Sequence, residues 1–112
     1  MFKLLENEAD WQELRESVPI LIVFKHSNIC PISIAAKERL VSVDYLLPDI
    51  YELVVQDNED LSGLIANELG IKHETPQVLV IQNGESVYDR SYEEIKGDNL
   101  VDFVRNLQKE SK

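Results

Sequence analysis

Two periods alternate along this chain, one helical and one strand-like, and together they predict an ordered series of elements. Asn7 or Glu8 opens a short helical stretch carrying Trp11 and Leu14, which Ser17-Val18-Pro19 ends because the residue before a proline is biased out of the helical region. Ile20 to Phe24 is an unbroken β-branched and aromatic run, the pattern of a strand covered on both faces. The run breaks at Lys25-His26-Ser27-Asn28, read as a loop. Behind it Pro31 fits a first helical turn, and Ile34, Ala35, Ala36, Leu40 and Val41 keep a helical spacing. Cys30 is then the N-cap.

The second half repeats the alternation. Ile50 to Val55 reads as a strand, and Asp57-Asn58-Glu59-Asp60 supplies the acidic start that the positive end of a helix favours. Leu61, Leu64, Ile65 and Leu69 make that helix's apolar face, and Gly70 stops it. Val78-Leu79-Val80-Ile81 and Ser86-Val87-Tyr88 flank Asn83-Gly84, a strong signal for a tight antiparallel hairpin. Leu100, Phe103, Val104 and Leu107 mark a last helix that starts near Gly97-Asp98. The order predicts an α/β fold: a mixed central sheet, made of a parallel βαβ unit and a C-terminal antiparallel hairpin, with helices on both faces.

Bulk composition narrows the function. A chain of 112 residues suits one domain, 1–112, that needs no disulfide or metal staple. A net charge of −10 repels nucleic acid and anionic lipid, so DNA, RNA and membrane partners are set aside. The longest apolar run is too short to span a bilayer, and the N-terminal residues turn acidic where a signal peptide would stay apolar. A cytoplasmic protein is expected, in keeping with a single cysteine. The acidic runs at Glu6 to Glu16, Asp57 to Asp60 and Glu93-Glu94 read as solvated faces, able at most to steer a basic partner. Trp11 and Tyr88 read as packing residues.

The one cysteine carries the chemistry. Any disulfide made by Cys30 must be to another molecule, since no second thiol exists in the chain. A buried, unreactive cysteine is the common alternative. Its place at a helix start favours reactivity, because amide N–H groups and the positive end of the helix dipole stabilise a thiolate and are expected to depress its pKa. Lys25 and His26 are candidate modulators from the preceding loop. Ser33 stands one helical turn in, where a C-x-x-C enzyme would hold its second thiol. A hydroxyl cannot close an internal disulfide, so the reaction would rest at a mixed disulfide until an external thiol resolves it. Ser33 reads either as a hydrogen-bond donor to the Cys30 thiolate or as an ordinary helix-surface serine. His26 and His73 lack metal-ligand spacing, so no metal site is expected, and both read as surface or loop histidines.

Taken together, Cys30-Pro31-Ile32-Ser33 and the downstream Glu74-Thr75-Pro76-Gln77 resemble the monothiol bacilliredoxin family, whose members are small thioredoxin-like proteins. Ile29 departs from the threonine expected before the cysteine. The resemblance implies a thioredoxin-like fold over nearly the whole chain and a cis bond at Pro76, with the backbone of Thr75 free to pair with an incoming thiol peptide. A trans proline at a strand start is the base-rate alternative. The resemblance also places Pro31, Thr75, Pro76, Gly97 and Asp98 on the substrate side, although Asp98 reads more simply as an N-cap.

In function, the resemblance implies removal of bacillithiol from mixed disulfides on client proteins. Bacillithiol is the small thiol that replaces glutathione in low-GC Gram-positive bacteria. It would act as co-substrate, with a reductase or free bacillithiol regenerating Cys30 and with no tightly bound cofactor, in a setting of oxidative stress. Two other classes compete: a redox-inert interaction module of the same fold, and a dimeric iron–sulfur carrier like the monothiol glutaredoxins. The carriers have glycine after the cysteine, whereas this chain has Pro31.

Overall fold

The computed structural model describes residues 1–110. Five strands, β1 (Phe2–Leu4), β2 (Ile20–His26), β3 (Ile50–Val54), β4 (Gln77–Gln82) and β5 (Glu85–Ser91), form one sheet in the order β1-β3-β2-β4-β5. Four helices join them: α1 (Glu8–Ser17), α2 (Pro31–Val41), α3 (Glu59–Leu69) and α4 (Gly97–Glu110). β1, β3 and β2 run parallel, and β4 and β5 continue antiparallel from β2, so the mixed sheet with a C-terminal hairpin is present as expected.

Chain handedness sets the layers. The step from β1 to β2 crosses the sheet one way and the step from β2 to β3 returns, so right-handed crossovers send α1 and α2 to opposite faces. On one face, Ala36 and Leu40 of α2 and Leu100, Val104 and Leu107 of α4 pack on Ile22, Phe24, Ile50, Val78 and Val80. On the other, Trp11 of α1 and Leu61 and Ile65 of α3 pack on Leu21, Val23, Leu53, Leu79 and Ile81. Trp11 Nε1 also donates to Glu68 Oε1 at 2.7 Å, which ties α1 to α3.

Local chemistry explains the ends. Asn7 caps α1 by accepting from Asp10 N at 2.8 Å. Gly70 ends α3 with φ +66°, a left-handed conformation that glycine adopts without a Cβ clash. Asn83 and Gly84, with φ of +55° and +77°, form the hairpin turn whose twist matches the strands it joins.

Two boundaries differ from the sequence expectation. β1 is an added edge strand, joined to β3 and extended by Leu5 N donating to Glu52 O at 2.9 Å. β2 runs on through Lys25 and His26, which are strand residues and not loop residues. Their side chains alternate to opposite faces of the sheet, and that alternation shapes the site.

Candidate active site around Cys30

Cys30 is the N-cap of α2, with extended backbone (φ −102°, ψ 117°) and no side-chain capping bond. It is half-buried. Its carbonyl accepts from Ile34 N at 2.9 Å, and Pro31 takes a first-turn position where no N–H is needed. The remaining first-turn amides lack intrahelical acceptors, so this end of the helix attracts negative charge. Ile29, 80 % exposed, and Ile32, also exposed, are solvent-facing apolar residues on either side of Cys30 in the chain.

Ser33 is fully buried, which excludes the reading of a surface serine. Its Oγ accepts from Ser27 N at 2.9 Å and lies 2.7 Å from His26 Nδ1. The hydroxyl and Nδ1 share one proton in this contact, with the direction set by the His26 tautomer. On the other side of the ring, Nε2 lies 3.8 Å from Glu52 Oε2. Glu52 is held in turn by Lys37 Nζ, 2.9 Å from Oε2. Ser33 thus staples the 27–30 loop to β2, and its hydroxyl is committed to these partners.

His26 is only 2 % exposed, so the expectation of a surface or loop residue is corrected for it. It stacks on Phe24 with ring centroids 5.2 Å apart. Burial pushes its pKa down, and Glu52 offsets this only in part. Lys25 is fully buried on the opposite face, where Nζ donates to Ser62 O at 3.0 Å and to His73 Nδ1 at 3.1 Å. Burial pushes the Lys25 ammonium down to about 8, against the favourable charge of Asp89. Lys25 therefore joins a polar cluster under α3, away from the face on which α2 packs. His73 is an exposed loop residue whose pKa is lowered by desolvation and by Lys25.

The Thr75–Pro76 peptide bond is cis. Pro76 O accepts from Tyr92 N at 3.2 Å, while the Thr75 backbone makes no backbone hydrogen bond among the described residues. Thr75 Oγ1 lies 3.4 Å from His73 Nε2. Tyr92 follows β5 with φ +54°, and its hydroxyl donates to Glu74 Oε2. The Glu74 hydrogen bond is the largest influence raising the Tyr92 pKa, and the nearby charge of Cys30 adds to it. Pro76, Tyr92 and Glu74 are thereby gathered together. No sequence signal marked Tyr92, because its motif-free surroundings do not announce a left-handed backbone.

Gly97 lies elsewhere. A Cβ there would sit 2.8 Å from both Arg39 O and Val43 Cγ2, at the end of α2 far from Cys30, so close helix packing accounts for the glycine. Asp98 is within the first turn of α4, not its N-cap; its carboxylate accepts from Asn99 N at 2.8 Å, and Lys96 O takes the capping position by accepting from Leu100 N.

The family model described as "Monothiol bacilliredoxin BrxC" matches residues 3–100. This chain belongs to the monothiol bacilliredoxin family. A solved structure of a proposed oxidoreductase with a thioredoxin fold is 33 % identical, superposes with a TM-score of 0.84, and matches over 90 % of this chain and 91 % of its own. More distant structures share the fold alone. Thioredoxin from Trypanosoma brucei brucei gives a TM-score of 0.77 at 8 % identity, covering 97 % of this chain and 92 % of its own. Mitochondrial thioredoxin 3 from Saccharomyces cerevisiae gives 0.72 at 14 %, covering 94 % of each chain. The bacilliredoxin sheet is therefore a thioredoxin fold, and family and fold together support thiol redox chemistry. Among the described residues, no helix is long and apolar enough to cross a membrane.

Proposed function

We propose that this bacilliredoxin removes bacillithiol from client proteins by monothiol exchange at Cys30. The Cys30 thiolate attacks the bacillithiol sulfur of a mixed disulfide. A Cys30–bacillithiol disulfide forms as the client sulfur leaves as a thiolate and takes up a proton. A second bacillithiol, or a reductase thiol, then attacks the adduct and frees Cys30. The cytoplasm is the compartment in which such a thiol pool operates.

One observation supports this reading above others: the lone thiol sits half-buried at the start of α2, and the position one turn on holds a buried serine bound to His26 and Ser27. Nothing inside the chain can resolve the adduct. Incubation with oxidised bacillithiol at neutral pH is expected to add one bacillithiol, detected by intact mass and localised to Cys30, with none on Cys30→Ser. Absence of an adduct on the parent protein would exclude the mechanism.

A further inference from the structure

The residues that lead into the cis bond are held by side chains. Lys72 to Thr75 make no backbone–backbone hydrogen bond among the described residues. Two of their tethers come from Lys25 and Gln77, both buried and directly opposite each other in the β2–β4 ladder. Gln77 Nε2 donates to Lys72 O at 3.0 Å and to Asp89 Oδ1 at 2.9 Å, which closes the base of the loop. Lys25 Nζ donates to Ser62 O at 3.0 Å and to His73 Nδ1 at 3.1 Å. With a pKa of about 8, Lys25 is still largely an ammonium at neutral pH. An ammonium has no lone pair, so Nδ1 is the acceptor and the neutral ring of His73 carries its proton on Nε2. Nε2 lies 3.4 Å from Thr75 Oγ1, a long contact that points along the loop toward the cis bond.

Lys25 is a costly residue in this position. Its ammonium is desolvated, and no carboxylate lies within ion-pair distance of it among the described residues. A methionine would fill the same space without a charge. The buried charge instead spends its protons on α3 and on His73, an exposed loop residue two positions before Thr75. The Thr75 backbone N–H and C=O make no backbone hydrogen bond of their own, so the tether ends beside a free strand edge.

We propose that Lys25 is a positioning residue for exchange: by holding His73 from under α3, it keeps the Thr75 backbone where a client peptide pairs with it. The inference rests on exchange at Cys30 with the client chain laid along Thr75. In that step the Cys30 thiolate attacks the bacillithiol sulfur of a peptide–bacillithiol disulfide. A Cys30–bacillithiol bond forms, and the peptide sulfur leaves as a thiolate and takes up a proton. Without the tether, a peptide loses more than a disulfide that has no client backbone to dock.

The test compares second-order rates of adduct formation, followed by intact mass, for a peptide–bacillithiol disulfide and for oxidised bacillithiol. Both place the same group on Cys30, so the ratio of the two rates isolates the docked peptide. Lys25→Met, which keeps the buried volume, and His73→Leu, at an exposed position, are each expected to lower the ratio about three- to tenfold, the scale of a backbone hydrogen bond lost on docking. His73→Asn keeps an acceptor oxygen near the place of Nδ1 and is expected to recover most of the parent ratio. Nitrogen-15 NMR of the parent at neutral pH is expected to show His73 with its proton on Nε2. Ratios for Lys25→Met and His73→Leu equal to the parent's, no recovery in His73→Asn, or a His73 proton on Nδ1 would each overturn the inference while oxidised bacillithiol still modifies Cys30. If the parent forms no adduct with either disulfide, exchange itself fails and the inference falls with it.

Discussion

Replacing Ser33 with alanine tests whether the residue one turn past the cysteine is an architectural staple. The hydroxyl satisfies two groups at once, the N–H of Ser27 at 2.9 Å and Nδ1 of His26 at 2.7 Å. His26 is buried, so its nitrogen loses a partner that water does not readily replace, and each such orphan costs about 1–3 kcal/mol. Ser27 is partly exposed and recovers some solvation, so its share falls at the lower end. Alanine gains a few tenths of a kcal/mol in helix propensity, roughly 0.5 at most. The net loss is about 1.5–3.5 kcal/mol. With an unfolding entropy of about 2.1 cal/mol/K per residue over the 112 residues, a loss near 3 kcal/mol lowers Tm by about 10–15 °C. Urea unfolding at pH 7 with calorimetry measures it, and iodoacetamide labelling of Cys30 reports on the 27–30 loop. A Tm within about 3 °C of the parent's, together with unchanged labelling, would refute the staple and return Ser33 to a passive position.

Other outcomes follow from neighbouring contacts. Lys25 has a folded pKa near 8 against 10.5 when exposed, so from pH 8 to 10.5 the unfolded chain binds more protons at this site and stability rises with pH. Lys25→Met should erase that contribution, about 3 kcal/mol across the window, and urea titrations giving parallel pH curves for parent and variant would contradict it. Gly97→Ala forces a Cβ to 2.8 Å from Arg39 O and from Val43, and the overpacking should cost about 1–3 kcal/mol by urea unfolding. Gly70→Ala, at φ +66° with open space around it, should cost about 1 kcal/mol through backbone conformation alone.

Most of the sheet was legible because its strands are apolar and bounded by turn residues. β1 was not: it has three residues, two of them exposed, too few for a period to declare itself. The end of β2 was misread for a different reason. A pattern reading takes Lys25-His26 as solvent-facing, yet each is buried with a polar partner to receive it, the distant Ser62 and His73 for Lys25 and the nearer Ser33, one turn into α2, for His26. Those partners lie 37 and 48 residues from Lys25, beyond any local signal. Cys30 and Pro31 were placed by helix-start chemistry that is local by nature. Tyr92 was missed because its conformation is imposed by Pro76 and Arg39 and leaves no trace in the surrounding residues.

The alternation that parts Lys25 from His26 also places a group that responds to alkali and one that responds to acid in different layers. Acidification loads protons onto the unfolded chain's His26 first, because the folded ring resists them, so stability falls as pH drops below about 6.5, and the strain enters through the layer that carries Cys30. Alkali relieves Lys25 in the opposite layer, beneath α3. A single strand end thus carries two titrating groups in opposite layers, one tuned to each side of neutrality; His73, also held below its ordinary pKa, adds an acid response beside Lys25, while His26 alone of the two histidines bonds to the helix that starts at Cys30.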